Sequence, residues 1–236
     1  MRIADMNWMQ VDEYLQSDDR CVLPVGSTEQ HAQLSLCVDA ILSERVAVEA
    51  AEPLGVPVYP AMPFGLAPYF QAFPGSMSLR VETLLAVFRD LVDSVHRSGF
   101  RRVLIVNGHG GNSPVAALAR ELMLERPEMS IKYHPWWAGA KFTAALARID
   151  PVGSHASWIE NFPWTRLENA PAPDGSKALV DYAKLDASSP EAVRELIGDG
   201  NFGGAWQKPD DVMLEAWRTG VEETREILEG PWPGHD

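Results

Sequence analysis

Positive charge is scarce in this chain: 20 Lys and Arg stand against 33 Asp and Glu in 236 residues, a formal net charge of −13. Binding to nucleic acid or to an anionic membrane surface needs clustered Lys and Arg, so neither is expected, and a small molecule is the expected partner. Cysteine is almost missing as well. Cys21 and Cys37 are too few for a secreted disulfide framework and read as two buried thiols. No stretch of about 18 apolar residues runs without charge, as a membrane span requires. Met1-Arg2-Ile3-Ala4-Asp5 has neither the apolar run nor the small-residue cleavage site of a secretory leader, so a cytoplasmic location is expected. Internal repeats, low-complexity tracts and a convincing linker are also lacking, which points to one domain over residues 1–236. The 46% hydrophobic content is enough for one large core.

What the chain does have is an alternation of short apolar runs with amphipathic stretches. This pattern predicts an α/β fold of three αβα layers, with a mainly parallel sheet and helices on both faces. Strands are expected at Cys21 to Val25, Val56 to Tyr59, Val103 to Val106 and Ile131 to His134. Asp39 is placed to cap a helix through Ala51, which Pro53 and Gly55 would stop. Glu82 to Arg97 repeats apolar residues at helical spacing and ends before Gly99. Ser113-Pro114 opens another helix, and further helices are expected at Lys141 to Arg148, Lys177 to Leu185, Pro190 to Ile197 and Asp210 to Glu229.

Glu29, His31, Asp39 and His109 all follow predicted strands, and the carboxyl ends of parallel strands are where ligands gather in such folds. His155 and Glu160 lie in an irregular, Trp- and Pro-rich segment. Carboxylates with imidazoles and no thiolates suit Zn, Mn or Fe, and a shared carboxylate such as Asp39 can bridge two ions. Other readings stand beside this one. Glu29-x-His31 also fits a polar surface loop, Asp39 a helix cap, and the glycines of Asn107 to Asn112 a backbone nest for phosphate, although that loop lacks the Lys-Ser/Thr of a P-loop. His96, His134 and His235 read as helix-surface, strand-end and tail residues.

Four motifs in order resemble the creatininase family of amidohydrolases. They are Leu23-Pro24-Val25-Gly26-Ser27-Thr28-Glu29-Gln30-His31, Phe73-Pro74-Gly75-Ser76-Met77-Ser78-Leu79, Val106-Asn107-Gly108-His109-Gly110-Gly111-Asn112, and His155-Ala156 with Glu160. The resemblance implies two divalent metal ions per chain, Zn, Mn or Fe, and an activated water that opens a cyclic or linear amide. It implies one ion on Glu29, Asp39 and His109, and the second on His31, Asp39 and Glu160. His155 then matches the catalytic histidine, with Glu160 sharing in catalysis, and Trp136 a tryptophan that closes the site. Trp158, Ser76 and Gly110 join Trp136 as expected substrate contacts. A homo-oligomer, a hexamer in many members, is implied as well.

The chain departs from the family pattern in ways that bear on substrate. Ala32-Gln33-Leu34 follows His31 where a second histidine is usual, and Asp39 lies ten residues after Glu29 instead of eleven. Gly111 replaces a glutamate of creatininase itself, and Ser157-Trp158 replaces a common Gly-Glu. With Trp136, Trp137, Trp158 and Trp164 near the motifs, an aromatic or hydrophobic small-molecule amide or lactam is expected in place of creatinine. The alternatives are a peptidase or deformylase of the same family and a non-catalytic metal- or phosphate-binding module.

Overall fold

The computed structural model describes residues 1–235. Three parallel strands, β1 (Arg20–Val25), β2 (Arg102–Asn107) and β3 (Ser130–Pro135), lie side by side in chain order. Cys21 pairs with Val103 and Val103 with Ile131, so the three strands are in register. β1 and β2 run buried after their first residue, and apolar but for Asn107, because both faces of the sheet are covered, while β3, at one edge, carries Lys132 and His134. On one face Val22, Leu104 and Val106 pack with α2 (Val38–Ala51), α5 (Ala140–Ile149) and α8 (Asp210–Glu229). On the other, Cys21, Leu23, Val103, Ile105 and Ile131 pack with α3 (Val81–Ser98) and α4 (Pro114–Glu125), and α1 (Trp8–Tyr14) adds Val11 and Tyr14. The αβα layering expected from the sequence is therefore present. Among the described residues no helix is long and apolar enough to cross a membrane.

The local signals act as chemistry requires. α3 buries Leu84, Phe88, Val92 and Val95 at successive turns, and Gly99 ends it at φ 112°, a left-handed conformation that a side chain disfavours. Asp210 and Asp211 sit in the first turn of α8, where negative charge complements the helix dipole. Both cysteines are free, Cys21 fully buried and Cys37 partly so.

Three expectations need correction. Val56 to Tyr59 is not a strand: it runs beside β1 through isolated bridges at Val58 and Met62. Pro57, Pro60 and Pro63 carry no N–H, so a continuous ladder cannot form there. Asp39 does not cap α2, which begins at Val38, and its carboxylate serves the site described below. Lys177 to Leu185 is not one helix: Ser176–Lys177 pairs with Gly204–Ala205, and helix α6 covers only Tyr182–Asp186. With α7 (Pro190–Ile197), α6 lays Leu185, Val193 and Ile197 against Phe70 and Phe202 in a third apolar cluster.

Candidate metal centre

The loop leaving β1 carries Glu29 and His31 and runs straight into α2, whose second residue is Asp39. The loop leaving β2 carries His109 and enters α4. Gly108 lets these loops meet, since a Cβ there would lie 2.3 Å from the Asp39 carbonyl oxygen. The loop that is one residue shorter than the family pattern thus still delivers Asp39.

Two histidines are fixed in the same manner. His31 Nδ1 donates to the Glu29 carbonyl at 3.1 Å, and His109 Nε2 donates to the Leu66 carbonyl at 2.9 Å. Each ring is left with one bare nitrogen, and a backbone acceptor that fixes the tautomer of a ligating histidine is the usual support for a metal site. His31 Nε2 stands 3.1 Å from Asp39 Oδ1 and 3.7 Å from Glu160 Oε2. His109 Nδ1 stands 3.1 Å from Asp39 Oδ2 and 3.2 Å from Glu29 Oε2. Although these atoms are close, His31 Nε2 and Asp39 Oδ2 are buried with no aligned hydrogen-bond partner. Ring nitrogens and carboxylate oxygens converge on one another.

Two sets of three result, Glu29/Asp39/His109 and His31/Asp39/Glu160, with Asp39 in both. Three nitrogen or oxygen donors per set, without sulfur, fit a catalytic divalent ion with an open position. A further triple, Glu29/His31/His155, adjoins them.

The electrostatics point the same way. Burial alone would lower His31, but Asp39 and Glu160 outweigh it and push the ring up to about 10. Burial likewise opposes charge on His109, yet Glu29 and Asp39 hold it well above the usual range. Burial would raise Asp39, and the neighbouring imidazoles override it to hold the carboxyl well below its usual range. Glu160 is pushed up to about 7, first by burial and then by Asp39 against the opposing pull of His31. The cluster stabilises positive charge where its donor atoms meet.

His155 is 17% exposed and sits beside this cluster, its Nδ1 3.9 Å from Glu29 Oε1. Its Nε2 lies 3.0 Å from the Gln30 carbonyl and 2.9 Å from the Gln30 side-chain nitrogen. Phe70 stacks on the ring at 4.8 Å and Phe202 tilts against it at 4.8 Å. Burial, and then the charge of His31, lower His155 well below its usual range. Ala32 and Ala156, which follow His31 and His155, both hold positive φ, 52° and 58°. Left-handed backbone at a residue with a side chain is costly and collects at functional sites.

The cavity over this centre measures about 330 Å³, and its wall includes Tyr69, Phe70, Trp137, Ile159 and Phe202 with Gly110 and Gly111. A larger groove of about 570 Å³ on the outer side of α2, lined by Arg2, Glu44, Arg45 and Glu49, contains none of the histidines. Chemistry, not volume, identifies the site.

The residues expected to contact substrate lie in different surroundings. Trp136 is buried in the core against Phe142 and Trp217, and its neighbour Trp137 takes the wall position. Trp158 is also core, its indole nitrogen donating to the Val152 carbonyl at 2.7 Å. Trp164 stacks on Phe162 away from the wall. Ser76 accepts from the Gln30 backbone N–H at 2.9 Å, steadying the ligand loop and not lining the cavity. Gly110 does line it.

Gln30, Phe70, Gly200 and Phe202 were missed. Gln30 donates to the Gly200 carbonyl at 3.1 Å, and the Phe202 N–H donates to the His155 carbonyl at 3.1 Å. The sequence signal was the glycine-dense run Gly198-Asp199-Gly200-Asn201-Phe202-Gly203-Gly204.

Fold and site together define an αβα protein with a carboxylate and imidazole centre at the carboxyl ends of its strands. A sequence model of the family described as creatinine amidohydrolase matches residues 4–211, and the chain belongs to this creatininase family. Creatinine amidohydrolase of Pseudomonas putida is 27% identical over 165 residues, which cover 64% of this chain and 63% of that enzyme. The 3-dehydro-scyllo-inosose hydrolase of Thermotoga maritima is 30% identical over 95% of this chain and 78% of its own. A mycofactocin precursor peptide peptidase of Mycolicibacterium smegmatis is 35% identical over 55% of this chain and 58% of its own. The chain thus spans less than two thirds of the first and third of these relatives. A crystal structure of creatinine amidohydrolase superposes with a TM-score of 0.81 at 22% identity, covering 98% of both chains. A creatininase variant of zinc–zinc type gives 0.82 at 20%, again over 98% of both. At such identity the likeness shows the shared fold.

Proposed function

We propose that this protein is a hydrolase of carbon–nitrogen bonds, opening a cyclic amide or a related amide on an aromatic or hydrophobic small molecule. The observation that carries the reading is the paired anchoring of His31 and His109. Each gives one N–H to a backbone carbonyl, so that the other nitrogen meets an oxygen of Asp39 at 3.1 Å.

Glu29, Asp39 and His109 would hold one divalent ion, and His31, Asp39 and Glu160 a second. Such ions supply Lewis acidity that polarises an amide carbonyl and acidifies water. The chain's own residues do the rest. His155, kept neutral by burial and boxed by Phe70 and Phe202, is placed to pass a proton to the departing nitrogen. Tyr69, Trp137, Ile159 and Phe202 give an apolar wall that excludes water and holds a flat ring against the centre. Gly111 leaves room for the Leu66 carbonyl, which a Cβ there would meet at 1.9 Å, to hold the His109 ring.

The test is turnover of a panel of aromatic and aliphatic lactams, linear amides and short peptides by the protein purified with its own metal. Cleavage of a lactam or small amide supports the reading. The relationship to a peptide peptidase favours a second reading, which peptide cleavage without lactam cleavage would establish in its place.

A further inference from the structure

We propose that the pocket selects amides whose ring is uncharged and turns away those bearing a carboxylate, a preference set by Tyr69, Phe70, Trp137 and Phe202. This rests on the amidohydrolase reading. Among the described residues the cavity wall contains no Lys or Arg. The cations on neighbouring elements are already engaged. Lys177 Nζ donates to the Ile197 carbonyl at 2.6 Å, Asp199 Oδ1 at 2.6 Å and the Asn201 carbonyl at 2.8 Å. Arg194 donates to the Ala72 carbonyl at 2.7 Å and lies over the Phe73 ring. Lys208 pairs with Asp150 at 2.6 Å, and Arg166 with Asp210 at 2.5 Å.

A carboxylate on the substrate ring would therefore meet aromatic faces, whose π-clouds are negative, and would find no cationic side chain in the wall to offset its lost hydration. The neutral polar groups of the wall are few. Ser154 Oγ is committed to the Gly203 carbonyl at 2.5 Å. The Tyr69 hydroxyl and the Trp137 indole N–H have no internal partner among the described residues. They can donate to an acceptor on either kind of ring and so do not favour the neutral one, while the Tyr69 ring, stacked on Phe70 at 4.5 Å, extends a flat apolar surface that only apolar contact satisfies. A neutral ring gains apolar burial here, and an anionic one does not.

The experiment uses three forms of one bicyclic aromatic lactam, isoindolin-1-one: unsubstituted, with a ring carboxylate, and with a ring carboxamide. The carboxamide matches the carboxylate in size and lacks its charge. kcat/KM is read for each, because unproductive binding of the anion leaves that ratio unchanged. The carboxylate is expected at least roughly tenfold below both neutral forms. A second readout is quenching of tryptophan emission, taken as the difference between wild type and Trp137→Phe. It should saturate for the two neutral forms, and for the carboxylate only at roughly tenfold higher concentration. Equal kcat/KM for carboxylate and carboxamide, or equal or absent quenching by all three, overturns the proposal. Quenching as expected with no bond cleaved would overturn the amidohydrolase reading and leave the charge preference standing.

Discussion

Asp39 and His31 stand 3.1 Å apart in near-complete burial, yet His31 Nε2 is left without an aligned hydrogen-bond partner. Two groups pressed together without bonding are best satisfied by a cation that both can reach. Elemental mass spectrometry of protein purified without added metal is expected to find about two Zn, Mn or Fe ions per chain. Asp39→Ala should empty both sets, because its carboxylate belongs to each. Retention of one ion in that variant would show that Asp39 is not shared.

Replacement of His155 separates catalysis from metal holding. His155→Gln is expected to lower turnover by about 10²- to 10⁴-fold, the range for losing a general acid or base. Its metal content should stay at the wild-type level, since neither set of the shared Asp39 includes His155. Loss of metal in His155→Gln would move His155 into the ligand shell.

Lys177 offers a test far from the chemistry. Its three hydrogen bonds hold the turn that presents Gly200 to Gln30 and Phe202 to His155. Lys177→Met should reduce kcat by roughly tenfold or more through misplaced groups, with metal content unchanged. The His155 ring resonances should shift in the NMR spectrum. Gly200→Ala should act the same way more severely, because the added carbon would lie 1.9 Å from Gln30 Oε1 at a φ of 100°. Unshifted His155 resonances in both variants would show that the turn does not position the ring.

His134 predicts a pH dependence of stability unrelated to the centre. Burial pushes it down to about 4, and its Nε2 lies 3.1 Å from the Thr224 hydroxyl. Between pH 6.5 and 4 the unfolded chain binds a proton that the folded one refuses, so stability falls as pH falls through that window and levels off below it. The loss amounts to about 3 kcal/mol at most. Urea unfolding of wild type and His134→Gln across this range checks it: the variant should lose less stability on acidification. Identical pH slopes would show that His134 titrates normally.

The sheet and the main helices were legible because periodicity and composition agree with burial: Val103 to Val106 is apolar at every position and covered on both faces. The candidate metal-binding residues were named through motif resemblance, and the closeness of Glu29, Asp39 and His109 follows from loops leaving β1 and β2. What failed had a physical reason. Trp136 and Trp137 are adjacent and chemically identical, so only the backbone turn decides which faces the core. Phe202 lies 47 residues beyond His155 and reaches it through a turn of irregular backbone that no periodicity announces. Pro57, Pro60 and Pro63 deny hydrogen-bond donors to a segment whose side chains read as a strand.

The candidate donors are spread from residue 29 to residue 160, with the Phe202 turn later still. A domain folds as a unit, so these atoms come together only when the sheet and the helices on both of its faces have formed. An ion held there would bind the folded chain and not the unfolded one, and would therefore raise the midpoint of its unfolding.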